Sequence, residues 1–389
     1  MESYRVFISY SHKDRDLAEK VVEALKANKF TVLWDKNLTF GMGFTEQIKN
    51  FIAHAHVFMP IITEESSERG WVHQEIGYAM AMNVPVLPVS KGQVPGEMIQ
   101  QLHALPLLSE NPEMLKKQMS WDVFEPLVLW AQKDVRPLFE CGEYHEDRTI
   151  LMVDYATRVL GLRIEDDRVF AHVRQKGALS SFHIPDKPIS HQAWQARHGD
   201  VEVSDFRCKW LREERRVLET HAREKGASLI IDPYLGFERY GVLARISRLW
   251  ELLKFLESGS VPNVVIAIHK DMPRDHNVTI VGDWFLAEAV DATLGRGYRQ
   301  TIFTRHAPSV RSRIELFDEE LDHLLEEKGL KREDSRKAVI DEIKEILKIE
   351  VTNLLGDPEK LEKIPQKTRE ATVKRLEQIL AEAQQKTAE

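Results

Sequence analysis

The chain has 389 residues, 43% of them hydrophobic and 30% charged, with a net charge of -8 at pH 7 and a pI near 6.1. That length exceeds one ordinary core and predicts two or three domains, and the acidic balance weighs against a chain that mainly binds phosphate backbones, without removing a local basic face. Cys141 and Cys208 are the only cysteines and lack metal-type spacing, which argues against a disulfide scaffold or a metal site and for a reducing compartment.

The N-terminus M-E-S-Y-R-V-F-I-S-Y runs directly into a strand pattern, with no basic stretch followed by an apolar run. No segment approaches the roughly 18 apolar residues of a membrane span. The expectation is a soluble, cytoplasmic protein with no membrane partner. Tyr4 to Ser9 reads as a strand, and Asp14 to Asn28 as a helix, with Leu17, Ala18, Val21, Val22 and Leu25 at helical spacing. Phe30 to Trp34 is the next strand, Phe44 to His54 the next helix, His56 to Thr63 a third strand, Trp71 to Met82 a third helix, and Val84 to Ser90 a fourth strand. Such alternation predicts an α/β fold, a parallel sheet with helices on both faces whose ligands collect outside the carboxyl ends of the strands. The loops Ser9 to Asp14, Asp35 to Gly43 and Glu64 to Gly70 are therefore the ones to inspect.

Those loops carry a family resemblance. F-I-S-Y-S-H-K-D at Phe7 to Asp14, W-D-K-N-L-T-F-G-M-G-F at Trp34 to Phe44 and S-S-E-R-G-W-V-H-Q-E-I at Ser66 to Ile76 resemble the three sequence boxes of a Toll/interleukin-1 receptor (TIR) domain. The resemblance covers residues 1–135 and implies a flavodoxin-like fold. Some members of the family are protein-interaction adaptors and others cleave NAD+. The stretch W-V-H-Q-E-I is similar to the one that holds the catalytic glutamate of the cleaving members, which puts Glu75 in that position. NAD+ is then a substrate, and no cofactor is implied.

The chemistry suits that residue type. Nicotinamide leaves NAD+ as a neutral base, so no general acid is required, and the ribose left behind is cationic and oxocarbenium-like. A carboxylate near C1′ orients the sugar and stabilises that charge as it develops. Trp71 and Glu75, at i and i+4, share one helix face near the N-terminus, where exposed N–H groups favour an anion. The same stretch has a plainer reading, since a tryptophan opening a helix is often core and a glutamate one turn later often only complements the helix dipole.

Around Glu75 the resemblance implies a substrate site formed by Ser9, Tyr10, Ser11, Trp34, Asp35, Phe44, Ser66 and Trp71, with Arg5 or Lys13 balancing pyrophosphate charge. Ser66 and Ser67 read equally as helix N-caps. Gly41 and Gly43 lack the G-x-G-x-x-G spacing of a dinucleotide fingerprint and read as hinges of a mobile loop. In the family that loop meets a neighbouring TIR domain and completes the pocket, which implies a homo-oligomer switched on by assembly.

Residues 136–150 are polar and poorly periodic and read as a linker. A second α/β domain is expected over 151–312, with strands Arg168 to Val173, Ser228 to Asp232, Asn263 to His269, Val278 to Asp283 and Gln300 to Thr304, and helices near Lys209 to Lys225 and Leu243 to Ser258. I-H-K-D at Ile268 to Asp271 lacks the spacing of the phospholipase D signature. N-V-T-I-V-G-D-W-F-L-A-E-A-V bears a faint resemblance to inactive phospholipase D-like sensor domains. Asp283, Trp284, Arg299, Arg305 and His306 are the polar residues to inspect there for a ligand pocket, although core networks usually explain such residues. Residues 313–389 are charge-dense with apolar residues at helical spacing, interrupted at Gly356-Asp357-Pro358, and read as a helical, oligomerising region.

The functional expectation is a bacterial-type TIR effector of antiphage defence. It cleaves NAD+ to ADP-ribose or a cyclic ADP-ribose once its C-terminal domain senses an unknown trigger ligand or partner. A non-catalytic adaptor or virulence protein and a subunit of a nucleic-acid-guided complex are the competing expectations.

Overall fold

The computed structural model describes residues 4–37, 44–67, 70–92, 104–122, 125–126, 139–142, 145–164, 167–177, 205–234, 241–270, 272, 277–291, 299–364 and 366–384. They form two compact units. The first is Met1–Phe139 with Arg158–Val169 and Thr304–Ser309, and the second is Glu140–Thr157 with Phe170–Phe303 and Val310–Glu389. No helix among the described residues is long and apolar enough to cross a membrane.

The first unit is built on five strands: β1 (Arg5–Ser9), β2 (Thr31–Leu33), β3 (Val57–Ile62), β4 (Val89–Ser90) and β5 (Leu105–Pro106). They lie in the order β2-β1-β3-β4-β5, all parallel. This is the order of flavodoxin-like doubly wound sheets, with the topological switch point between β1 and β3. The helices are α1 (Arg15–Ala27), α2 (Phe44–His54), the short α3 (Glu64–Ser67), α4 (Gly70–Ala81) and α5 (Pro112–Gln118).

The period-2 alternation of β1 divides its side chains between the two faces. Val6 and Ile8 join Leu17, Ala18, Val21, Val22 and Leu25 of α1 and Leu115 of α5 in one core cluster. Phe7 points the other way, stacking on Phe58 at 5.7 Å and meeting Phe51 of α2 at 6.0 Å. Each such fully buried large apolar side chain contributes about 1.5–3 kcal/mol, so the helical stripe of α1 suffices to pin it to the sheet. The expected fourth strand, Val84 to Ser90, contracts to Val89–Ser90 plus a bridge between Val86 and Phe58. Pro85 and Pro88 have no N–H to give to a ladder.

The second unit contains a seven-stranded sheet in the order β11-β10-β9-β12-β13-β14-β6. Its strands are β6 (Phe139–Gly142), β9 (Val173–Gly177), β10 (Ala227–Ile231), β11 (Val264–Ile268), β12 (Val278–Val281), β13 (Phe285–Asp291) and β14 (Arg299–Thr304). In the first unit, the strands β7 (Arg163–Ile164) and β8 (Asp167–Arg168) make a separate two-stranded ribbon. β9, β10 and β11 are parallel, while β12 runs antiparallel to β9 and β13. Gly282, at φ +54°, makes the turn from β12 to β13, and a Cβ there would meet Ala171 and Trp284 at 2.9 Å.

Three sequence expectations change here. The linker placed at 136–150 contains strand Phe139–Gly142 and the start of helix His145–Gly161. That strand is short and largely exposed, so it lacks the apolar run by which strands are read. The strand placed at Arg168 to Val173 resolves into β8 and β9, and β9 is the polar V-R-Q-K-G. The boundary placed between 312 and 313 falls inside helix Ala307–Glu327. Phe317, Leu321, Leu324 and Leu325 of that helix pack with Ile230, Ile280 and Leu286 of the sheet, so its apolar stripe is core. Helix Arg332–Leu355 packs on β11 and on helices Gly241–Glu257 and Gln366–Gln384. It ends at the expected interruption, where Gly356 is the C-cap and Asp357 accepts the Lys360 N–H at 3.1 Å to start the next turn, with Pro358 at its first position.

Candidate active site

At the carboxyl ends of β1 and β2 the first unit encloses a cavity of about 200 Å3. It is lined by Phe7 to His12 from β1 and its loop, Asp35 after β2, Ile48 of α2, and Trp71, Val72 and Glu75 of α4. Glu75 is 6% exposed. The Ser9 hydroxyl donates to Glu75 Oε2, and the Trp71 indole N–H donates to the same carboxylate from one turn back along α4. Burial pushes the Glu75 carboxyl up from its ordinary value, and these two donors pull it part of the way back.

The mouth of the cavity is also acidic. The Tyr10 hydroxyl donates to Asp35 Oδ1 at 2.7 Å, and His12 Nδ1 stands 4.0 Å from Asp35 Oδ2. Burial, then the Asp35 carboxylate, push the Tyr10 phenol up, so its proton stays on the donor side of this bond. Asp35 opens a 3-10 turn that Asn37 closes by accepting the Trp34 backbone N–H on Oδ1 at 3.0 Å. Among the described residues no lysine or arginine lines the cavity.

Of the residues singled out in the sequence, Ser9, Tyr10, Ser11, Asp35, Trp71 and Glu75 meet at this cavity. Trp34 does not line it. Its ring is buried in the core cluster, with Lys36 Nζ 4.7 Å above it. Ser66 is fully buried in the turn after β3. Its hydroxyl accepts the Thr63 N–H at 2.8 Å while Thr63 Oγ1 accepts the Ser66 N–H at 3.2 Å, a reciprocal cap in which Thr63 holds the N-cap place. Thr63 also donates to Asp14 Oδ2 at 2.7 Å, tying this turn to the loop after β1.

Phe44 begins α2, but its side chain, that of Ser67, and Gly41 and Gly43 lie outside the described residues. Arg5 stands at the opposite, amino-terminal end of β1, where its Nε donates to the His54 carbonyl at 2.7 Å, and Lys13 is exposed on the loop after β1. In the second unit, Asp283 and Trp284 form the buried β12–β13 turn. Arg299 opens β14, whereas Arg305 and His306 belong to the first unit, where His306 Nδ1 shares a hydrogen bond with Ser309 at 2.8 Å.

Sequence reasoning did not single out His12, Ile48, Val72 or Asn37. His12 had a signal, a polar residue in the loop after the first strand. Ile48 and Val72 are ordinary apolar helix positions until the fold turns them inward.

A family model described as TIR domain matches residues 6–118. This part of the chain is a TIR domain. Its parallel sheet and flanking helices are the flavodoxin-like fold of that family, and the cavity opens at the strand ends where such sheets bind ligands. TIR domains serve in signalling or cleave NAD+, and they commonly self-associate. No curated protein matches the chain. Among solved structures, that of TrmBL2, an archaeal chromatin protein with a novel mode of DNA binding, aligns at 10% identity and a TM-score of 0.25 over 54% of this chain. The chain covers 62% of that protein's length, and a superposition so loose carries nothing about fold or function.

Proposed function

We propose that the TIR domain cleaves the nicotinamide–ribose bond of NAD+ and that Glu75 is its catalytic carboxylate. The observation that carries this reading is a buried glutamate facing a cavity at the strand ends, with two neutral donors to orient it and no lysine or arginine among the described lining residues. A carboxylate so placed is complementary to a cation supplied from outside. The positive ribose formed as nicotinamide leaves is such a cation, and it is worth more to Glu75 than the ground state is, because its charge develops next to the carboxylate. Ser9 and Trp71 hold the carboxylate in place, so little reorganisation is needed as the bond breaks.

Ser9, Tyr10, Ser11, Asp35 and Trp71 form the near part of the substrate site. The cavity is smaller than the roughly 300–1,000 Å3 that encloses a typical drug-sized ligand, and it therefore suits the nicotinamide riboside end of NAD+ and leaves the rest outside. Self-association of TIR domains completes the site, and the second unit responds to the trigger, as in an antiphage effector. ADP-ribose and a cyclic ADP-ribose are the two product outcomes.

The test is NAD+ turnover by the purified full chain across a concentration series with a crowding agent, with products resolved by chromatography. Glu75→Gln, which keeps the shape and removes the charge, lowers turnover by roughly 10³-fold. Wild-type protein inert at every concentration would favour a non-catalytic adaptor.

A further inference from the structure

Breaking the nicotinamide–ribose bond employs one carboxylate, yet the described lining of the cavity has two. Glu75 is deep, and Asp35 lies at the mouth with its side chain 22% exposed. Departure of nicotinamide uses no acid, because the electron pair of the C1′–N bond goes to the ring nitrogen and a neutral base leaves. The next step does require a base. Water that adds to C1′ must lose a proton, and glycoside cleavage generally gives that duty to one of a pair of carboxylates.

Among the described residues, Asp35 is held on one side and open on the other. Oδ1 takes the Tyr10 hydroxyl at 2.7 Å, and the turn bearing Asp35 is pinned by Asn37. Oδ2 faces His12 at 4.0 Å, and that imidazole is 77% exposed, so a path leads from the cavity through Oδ2 to bulk water. Carboxylates with a structural duty in this chain look different. Asp318 has both oxygens closed by Arg174, at 2.8 and 2.9 Å.

Resting on the NAD+-cleaving reading, we propose that Asp35 is the general base for the hydrolytic water, with Tyr10 as its positioning residue and His12 as the exit for the proton. The water oxygen bonds to C1′, one water O–H bond breaks, the proton goes to Asp35 Oδ2, and the ribose ring oxygen recovers the electron pair it had shared with the cation. NAD+ and water thus become ADP-ribose, nicotinamide and one proton, which leaves by His12. Exchange of free nicotinamide into NAD+ has a different balance, since a pyridine nitrogen attacks C1′ and releases no proton, so it needs no base.

The experiment measures both reactions at once in the full chain, following entry of isotope-labelled nicotinamide into NAD+ and formation of ADP-ribose. Asp35→Asn lowers hydrolysis by about 10²-fold and exchange far less, so the exchange-to-hydrolysis ratio rises at least tenfold. Tyr10→Phe keeps the ring, removes the donor, and moves the ratio the same way by a smaller factor. It carries the test if Asp35→Asn does not fold. An equal fall of both reactions in these variants overturns the assignment and leaves Asp35 a substrate-binding group. Wild type that performs neither reaction at any concentration defeats the NAD+ reading itself, whereas wild type that performs both, with an unmoved ratio in the variants, defeats only the role of Asp35.

Discussion

In the second unit, Lys176 is 5% exposed and is gripped by both oxygens of Glu320 at 2.6 and 2.8 Å, and Glu214, with no exposure at all, meets Arg148 twice at 3.0 Å. In the TIR domain, Glu75 is nearly as deep and has a hydroxyl and an indole for partners. Burial pushes both glutamate carboxyls up, but Glu214 has a guanidinium to oppose the shift, whereas the donors to Glu75 among the described residues are neutral. A buried charge is costly to desolvate, and a counter-ion within the fold offsets that cost for the folded state alone. Where no counter-ion stands among the described residues, as at Glu75, the cost persists until something positive arrives. On the proposed reading, the contrast separates charges that hold the structure together from one kept ready for a cation.

The comparison can be broken or sharpened by mutation. The largest effect on stability is expected at Arg148. Arg148→Ala leaves Glu214 buried without its partner and costs about 3–5 kcal/mol, read by chemical denaturation of the full chain. A cost below 1 kcal/mol would mean that water reaches Glu214 and that the pair resembles a surface one. A smaller loss, about 1–2 kcal/mol, is expected for Ser66→Ala, which removes one half of the reciprocal cap after β3. Intact stability with a raised KM for NAD+ would instead make Ser66 a substrate contact.

The smallest effect carries a sign. Because the folded state raises the Glu75 carboxyl, protonated Glu75 is favoured by folding. That contribution is fully present below the ordinary carboxylate range of about 4.3 and is lost as pH rises through the folded value. Glu75→Gln cannot undergo this loss, so the variant melts higher than wild type at neutral pH, and the gap closes on acidification. Melting curves at neutral and acid pH read this directly. A gap that widens with acid would mean that the fold favours the charged form of Glu75 instead.

Much of the TIR domain was legible in residue order. The apolar stripe of α1 and the strand runs need only local periodicity, and the first four strands and their helices follow from it. Ser9, Tyr10, Ser11, Asp35, Trp71 and Glu75 stand at or just beyond strand ends or on one helical face, positions that local pattern specifies. Trp34 and Ser66 sit beside these in sequence but turn the other way, one into the core and one into a turn. Neighbouring residues on an extended chain face opposite sides, and the register of the final turn is not written in composition.

In the second unit the order of readability reverses. β9 reads V-R-Q-K-G, a polar stretch that no alternation marks as a strand, yet it lies between β10 and β12 with ladders on both sides. Arg174 and Lys176 are tolerated there because Asp318 and Glu320, 144 residues away in each pairing, arrive on helix Ala307–Glu327 to meet them. The same helix looked like a charged tail for the same reason. Sequence by itself therefore determined the periodic elements, their parallel α/β arrangement and the loops that bear the candidate site. Tertiary structure alone decided which charges find counter-ions and which carboxylate is left facing a cavity, because those pairings join residues far apart in the chain, where no local pattern can record them.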